Sequence, residues 1–358
     1  MIQVKLDCRW LLGNAFAEQH GQQIFSLLEA IHRTGSLNKA APIVGLSYRH
    51  LWNLVGKWSD LLGQPLAVLE RGRGTRLTSF GEKLLWADQR VKARLGPQLE
   101  NLASELEQEL NETFPAGRVA LRLYASHDLA LAELREMLNR GTNGPRLELQ
   151  FRGSLDCLAS LARSQCDVAG FHIPEHAISK NLLLRYRKLL KPRSQKLIEF
   201  VARQQGLIVA SGNPKQIYNM NDLAKRDVRF VNRQQGSGTR LLLDMLLDRA
   251  GIEQEKIQGF QHEEFTHAAV AATIASGKAD AGMGIEAAAK QFDLDFVPIA
   301  SERYFLITHQ QNLLKPAVKQ LILAMQSSEF KSAIARLPGY DASRAGEITS
   351  IRKVFPWD

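Results

Sequence analysis

Cysteine is scarce in this chain and never clustered. The three that occur, Cys8, Cys157 and Cys166, form no CxxC pair and leave an odd total. That excludes a disulfide framework and makes a reducing cytoplasm the expected compartment. Long apolar runs are missing as well. No stretch approaches the roughly 18 uncharged apolar residues of a membrane span, and Asp7 and Arg9 break the N-terminal one, so neither a span nor a signal peptide is expected. Catalytic signatures are absent too. There is no Gly-x-Ser-x-Gly elbow, and the Gly-rich stretch at Gly236 lacks the spacing and lysine of a G-x-x-x-x-G-K-[ST] loop, which argues against nucleotide hydrolysis. The histidines of His262-Glu-Glu-Phe-Thr-His267 stand five apart, whereas a zinc-protease helix needs i, i+4 to put both on one face. Cys157 and Cys166 have no neighbouring Cys or His cluster and read as buried thiols. Neither an enzyme, a protein-ligated metal nor a cofactor is expected.

What is present is enough for packed cores. The 358 residues, 45% hydrophobic, allow two or three domains, without internal repeats or low-complexity tracts. The balance of 46 Lys and Arg against 37 Asp and Glu, net +9, suits a polyanion partner but would equally suit a ribosome-associated or membrane-surface protein. Its distribution is more informative. Residues 1–95 carry thirteen basic and seven acidic side chains, whereas residues 96–116 hold five Glu and no Lys or Arg. A boundary therefore falls nearby. Residues 79–112 place Val91, Leu95, Leu99, Leu102, Leu106 and Leu110 in one helical stripe, which wants a partner in its own domain or in a second subunit. Gly96-Pro97 is expected to kink this helix, and Phe114-Pro115-Ala116-Gly117 to end it.

The basic N-terminal part has the pattern of a DNA reader. Residues 22–32 form an apolar-faced helix through Ile24, Phe25, Leu27, Leu28 and Ile31, closed by Arg33-Thr-Gly35. Ser36 is placed to cap a second helix whose Ala40 and Ala41 let a crossing helix approach, and Gly45 supplies the tight turn between them. Ser47 caps a third helix. Along it Tyr48, Arg49, His50, Trp52, Asn53 and Lys57 are available to bases and phosphates, with Tyr48, Arg49 and Asn53 the foremost contacts, while Leu51, Leu54, Val55 and Trp58 face the core. Next come two short strands around Arg71-Gly-Arg73-Gly-Thr-Arg76. A hairpin so charged can follow the backbone or enter the minor groove, though alone it is as easily a solvated turn.

From residue 118 the pattern changes to alternating strands and helices, an α/β arrangement with a mostly parallel sheet in two small lobes. Gly236-Ser237-Gly238-Thr239 precedes an apolar helix, so its free amides and hydroxyls suit an anion. Ser126-His127-Asp128 and Gly153-Ser154 are similar junctions, and three such loops at strand ends define a cleft. Arg152, His172, Arg233 and Tyr304 are candidates to line it, although the arginines could be solvated and His172 an interior hydrogen-bonding group. Molybdate or tungstate fits hydroxyls, amides and helix termini; a carboxylate or a pterin-type cofactor precursor would satisfy the same loops.

Residues 24–85, with GSLNKAAPIVGLSYRHLWNLV, the hairpin and RLTSFGEKLL, resemble the winged helix-turn-helix of LysR-type regulators, and most closely the ModE molybdate-responsive regulators through Ser-Tyr-Arg-His-Leu-Trp. The resemblance covers about a fifth of the chain and implies a dimer joined by the long helix. It stops there, since no pair of small molybdate-holding barrels follows. The remainder is similar to periplasmic-binding-protein-like domains, on Phe230-Val-Asn-Arg-Gln-Gln-Gly-Ser-Gly-Thr-Arg240, Ala275-Ser-Gly-Lys-Ala-Asp-Ala-Gly-Met-Gly-Ile285 and Glu302-Arg-Tyr-Phe-Leu306. That implies two lobes joined by crossovers near residues 202–207 and 300. The expectation is a multidomain protein: a winged helix-turn-helix over 1–78, a linker and dimerisation helix over 79–117, and a two-lobed ligand-binding domain over 118–358. It would bind double-stranded DNA as a homodimer or homotetramer, sense a small anion and have no membrane partner. The alternative is a cytoplasmic small-anion or cofactor-precursor binding protein whose basic N-terminal domain makes protein contacts.

Overall fold

The computed structural model describes residues 2–12, 15–70, 74–111, 119–140, 145–175 and 180–355. They form two compact units, Asp7–Ala93, and Met1–Leu6 with Arg94–Asp358. The boundary falls inside one long helix.

In the first unit, α1 (Ala15–Thr34), α2 (Leu37–Ile43) and α3 (Tyr48–Leu62) precede a hairpin of β1 (Ala67–Glu70) and β2 (Gly74–Leu77) and the start of α4 (Ser79–Asn111). Their core joins Ile24, Leu27, Leu28, Ile31, Ala40, Leu51, Val55, Trp58 and Leu85. Gly45, at φ +68°, makes the turn between α2 and α3, a conformation that costs glycine no Cβ clash. Gly74 is required for a second reason. Its amide neighbour Thr75 donates to the Gly35 carbonyl at 2.9 Å, and a Cβ on Gly74 would lie 2.3 Å from that same oxygen. The hairpin is thereby fixed to the turn after α1. The tip, including Arg71 and Arg73, lies outside the described residues.

α4 differs from expectation at Gly96-Pro97. It runs through both residues as one helix, although Pro97 has no amide to donate to the preceding turn.

The second unit continues through β3 (Ala120–Ala125), α5 (Leu129–Arg140), β4 (Arg146–Phe151), α6 (Ser154–Ala162), β5 (Val168–Pro174), α7 (Lys180–Leu189) and β6 (Gln195–Val209). It proceeds with β7 (Phe230–Arg233), α8 (Gly238–Ala250), β8 (Glu263–Glu264), α9 (His267–Ala275), β9 (Ala281–Ile285), α10 (Glu286–Gln291) and β10 (Asp295–His309). It closes with α11 (Pro316–Gln326), α12 (Ser328–Ile334), β11 (Tyr340–Asp341), β12 (Ile348–Thr349) and α13 (Ile351–Val354). Strand order is β4-β3-β5-β10-β6-β9-β7-β8, with β11 and β12 also on β6.

The sheet is mixed rather than mostly parallel. β3 runs parallel to β4 and β5, and β7 parallel to β8 and β9, but β5–β10, β10–β6 and β6–β9 are antiparallel. The cause is that β6 and β10, fifteen residues each, are themselves the crossovers. One half of β6 belongs to the lobe built on β3, β4 and β5. Its other half, Gln205–Val209, pairs β9 in the second lobe. Register shifts in β10 at Pro298/Ala300 and Tyr304/Phe305 bend the pair where the lobes meet, close to the expected positions. Two apolar layers pack on the first lobe, one through Leu123, Leu134 and Phe200, the other through Cys157, Phe171 and Phe355; the second lobe has its own around Val209, Leu243 and Met283.

Candidate DNA-reading helix and candidate ligand cleft

α3 sorts its residues by helical period. Leu51, Leu54, Val55 and Trp58 are buried, while Tyr48, Arg49, His50, Trp52, Asn53 and Lys57 are all exposed. Ser47 Oγ accepts from the His50 amide at 3.2 Å and so caps the helix at its exposed end. Ser36 occupies the corresponding position before α2 but makes no side-chain cap; its amide instead donates to Thr34 Oγ1 at 3.3 Å. Arg76 in the hairpin is exposed, and its guanidinium pairs with Glu70 on the facing strand. Two large aromatics, Tyr48 and Trp52, remain 43% and 39% exposed on an otherwise polar face. Nothing in the unit's own core uses them.

The second unit contains a cavity of about 360 Å³ between its lobes. Four helix starts reach it: Ser126 and His127 before α5, Gly153 and Asp156 at α6, Gly236, Ser237, Gly238 and Thr239 at α8, and Phe265 and His267 at α9. The lobes approach closely here, since a Cβ on Gly153 would lie 3.8 Å from the Gly236 carbonyl. At α8, Ser237 Oγ accepts from the Arg240 amide at 3.2 Å, and the Ser237 carbonyl from Leu241 at 3.0 Å. The Gly238 and Thr239 amides are thus among the orphan donors of the helix start, where the positive end of the helix dipole favours an anion.

Behind them stands a buried charge. Arg233 Nη2 donates to the Phe265 carbonyl at 2.9 Å and Nε to the Glu264 carbonyl at 3.2 Å, but buried Nη1 has no partner. Burial and the neighbouring Arg203 push its pKa down to about 9, against a partial pull upward by Glu302 and Glu264. Arg203 is buried as well, but Glu302 and Asp128 pair with it and outweigh that burial, raising its pKa. A buried cation hydrogen-bonded to no carboxylate, with a donor left unpaired, suits a negative charge.

Three histidines line the same cavity as neutral hydrogen-bonding groups. Burial, then the two arginines, holds His172 and His267 well below their usual pKa and His127 at about 4. His172 Nε2 and His267 Nδ1 have no partner. Among the described residues no group of three His, Cys, Asp or Glu is arranged to hold a metal ion.

Other expected residues are placed differently. Tyr304 is fully buried behind His172, stacked on it at 3.9 Å between centroids, and donates to the Ser126 carbonyl at 2.9 Å. It supports the wall without forming it. Ser154 is also buried, its hydroxyl 2.8 Å from that of Ser126. Arg152 reaches the rim, but its guanidinium is engaged by Gln150 at 2.7 Å and by the face of Tyr124 at 4.2 Å. Cys157 and Cys166 are buried thiols with pKa values raised by that burial, Cys166 to about 12.

Arg203, Phe265 and His267 escaped sequence reading. A signal existed for two of them: Glu264-Phe-Thr-His267 followed by Ala-Ala-Val-Ala-Ala is one more strand-to-cap-to-helix junction, with Thr266 Oγ1 accepting from the Ala269 amide at 2.9 Å.

The fold and cleft define a DNA-binding regulator with a two-lobed receptor domain, and the chain belongs to that class. Residues 23–82 match the bacterial regulatory helix-turn-helix proteins of the LysR family, and residues 135–326 the periplasmic-binding-protein superfamily domain. The family is one of transcriptional regulators. Among its relatives is the uncharacterized protein YvgK of Bacillus subtilis, 31% identical over 248 residues, 69% of this chain and 79% of the other. The molybdenum transport protein ModE of Azotobacter vinelandii is 34% identical over 86 residues, 23% of this chain and 32% of ModE. Among solved structures, hydrogen-peroxide-bound OxyR of Corynebacterium glutamicum aligns over 88% of this chain and 93% of its own, with 16% identity and a TM-score of 0.45. No described helix is long and apolar enough to cross a membrane.

Proposed function

We propose that this regulator responds to a small anion bound between its lobes, with molybdate or tungstate the first candidates. The observation that carries the reading is Arg233 Nη1, a buried donor without a partner on a guanidinium that no carboxylate hydrogen-bonds, beside the start of α8. A tetrahedral dianion accepts from amides, hydroxyls and guanidinium together and needs no donor of its own. The partial likeness to ModE supports that choice. The volume favours a second reading. Four oxygens take the room of two to three waters, roughly 60–90 Å³ at the ~30 Å³ of a liquid water. About 360 Å³ would admit an organic anion such as a carboxylate or pterin-type precursor.

Calorimetric titration of the full chain with molybdate and tungstate tests the first reading; no heat from either would remove both. Where binding is seen, Ser237→Ala combined with Thr239→Ala is expected to weaken it about 10- to 100-fold, while operator affinity stays unchanged. Unaltered effector affinity in the double variant would overturn the cleft assignment.

For the output end we propose that Tyr48, Arg49 and Asn53 read base edges from α3. Arg49→Ala is expected to weaken binding to a fragment of its own promoter by about 1–3 kcal/mol, roughly 5- to 150-fold. Fluorescence anisotropy at fixed salt measures this, and wild-type affinity in the variant would refute it. Pairing of two chains along α4 is part of the proposal, since Leu95, Leu102 and Leu110 of its apolar stripe stay 38%, 47% and 44% exposed.

A further inference from the structure

One wall of the cleft comes from neither lobe. Arg94, Pro97, Gln98 and Asn101 of α4 line it. Asn101 is fastened to the first lobe by a reciprocal pair of bonds: its Nδ2 donates to the Phe151 carbonyl at 2.9 Å, and its Oδ1 accepts from the Phe151 amide at 2.7 Å. Phe151 ends β4, the outermost strand, so the side-chain amide satisfies backbone groups at a sheet edge. Ala103 and Ser104 are buried on the following turn. Arg94 is fastened to the other lobe. Its Nε donates to Glu264 Oε2 at 2.7 Å, while Glu264 Oε1 accepts from Thr273 Oγ1 at 3.0 Å. The Glu264 carboxylate is 5% exposed, which makes this pair stronger than a surface ion pair. The chain of contacts continues inward, because the Glu264 carbonyl accepts from Arg233, the cation assigned to the anion.

Arg94 and Asn101 are seven residues apart, two turns along one helix face and roughly 10 Å at 1.5 Å per residue. One rigid helix therefore holds both lobes at once. Separation of the lobes must break one fastening or the other. We propose that α4 is the third wall of the effector cleft and that Arg94 and Asn101 are its positioning residues, so that lobe closure is read directly by the helix that runs on from the DNA-binding unit. The inference rests on the effector reading of the cleft, yet the fastening itself can be tested without any effector.

The test is hydrogen–deuterium exchange of the full chain, read on peptides spanning residues 94–104, with β3 and β9 as references. Without ligand, Asn101→Ala and Glu264→Gln are each expected to speed exchange in 94–104 about tenfold and to leave β3 and β9 at wild-type rates. Should either variant lose protection throughout, Arg94→Gln, altered at a half-exposed side chain, carries the test instead. Wild-type exchange in 94–104 for the variants that keep their fold would overturn the proposal. Molybdate and tungstate form the second arm. If either binds, it is expected to slow exchange in 94–104 of the wild type, and Arg94→Ala to weaken binding about tenfold. Binding that leaves both unaffected would overturn the wall. Failure of both anions to bind the wild type would remove the oxyanion reading alone, and the first arm would still decide the fastening.

Discussion

Arg233→Met is expected to reduce anion affinity a hundredfold or more, about 3 kcal/mol or above, while leaving the ligand-free fold at least as resistant to heat as the wild type. The two halves of that expectation have one cause. The guanidinium is buried beside Arg203, and its hydrogen bonds go to neutral carbonyls and, with Nε at 3.3 Å, to the side-chain oxygen Oε1 of Gln234. Its charge is a burden to the folded chain, one that a bound anion would relieve. Methionine removes the charge and keeps the length.

The pH dependence follows from the same group. With its folded-state pKa near 9 against an ordinary 12.5, the unfolded chain holds this proton more tightly. This residue's penalty on stability is therefore full below about 9 and is relieved as pH rises from about 9 towards 12.5. Binding runs the opposite way, because a bound anion raises the pKa of Arg233. Affinity is expected to be flat from pH 7 to about 8.5 and to fall above about 9, where binding must take up a proton. Calorimetry in buffers of different ionisation enthalpy would register that uptake. Wild-type affinity in Arg233→Met, or affinity level through pH 10, would contradict the assignment.

Arg203→Met is expected to destabilise the second unit by about 3–5 kcal/mol, the usual loss when one partner of a buried ion pair is deleted. Arg203 on β6 faces Glu302 on β10 across the crossover pair and reaches Asp128 before α5. The two carboxylate side chains are 1% and 0% exposed. Asp128 also accepts from the Ala130 amide at 2.8 Å and from Tyr340 Oη at 3.0 Å, and Glu302 from Gln205 Nε2 at 2.8 Å. Deleting the arginine strands two negative charges at the junction of the lobes. Urea unfolding measures the loss, and adding Asp128→Asn and Glu302→Gln should return most of it. An undiminished midpoint in the single variant, or no recovery in the triple, would show that the triad does not hold the crossover.

Local pattern was enough for the first unit. A 3.6-residue period sends Leu51, Leu54, Val55 and Trp58 inward and leaves Tyr48, Arg49, His50 and Asn53 outward, and Ser47 and Gly45 supply cap and turn within a few residues. The strand and helix alternation was equally plain. So was the start of α8, whose Ser237 cap is a three-residue contact. The mixed sense of the sheet was not, because a fifteen-residue strand that serves both lobes has the same alternation as one that serves a single lobe.

By itself the sequence determined a helix-turn-helix, a long acidic helix and an α/β receptor with donor-rich loops, since each depends on residues within one or two turns of one another. Only tertiary structure decided which cations are enclosed and which are spent near the surface. Arg152 and Arg233 both lie where a strand ends before a donor-rich loop, yet Arg152 spends its guanidinium on Gln150 and Tyr124 near the surface, while Arg233 is enclosed with a donor unpaired. Tertiary structure also brought Arg94 to Glu264 and Asn101 to Phe151, partners 170 and 50 residues away. Burial and long-range pairing set the worth of a charge, and neither is a property of its neighbours in the chain.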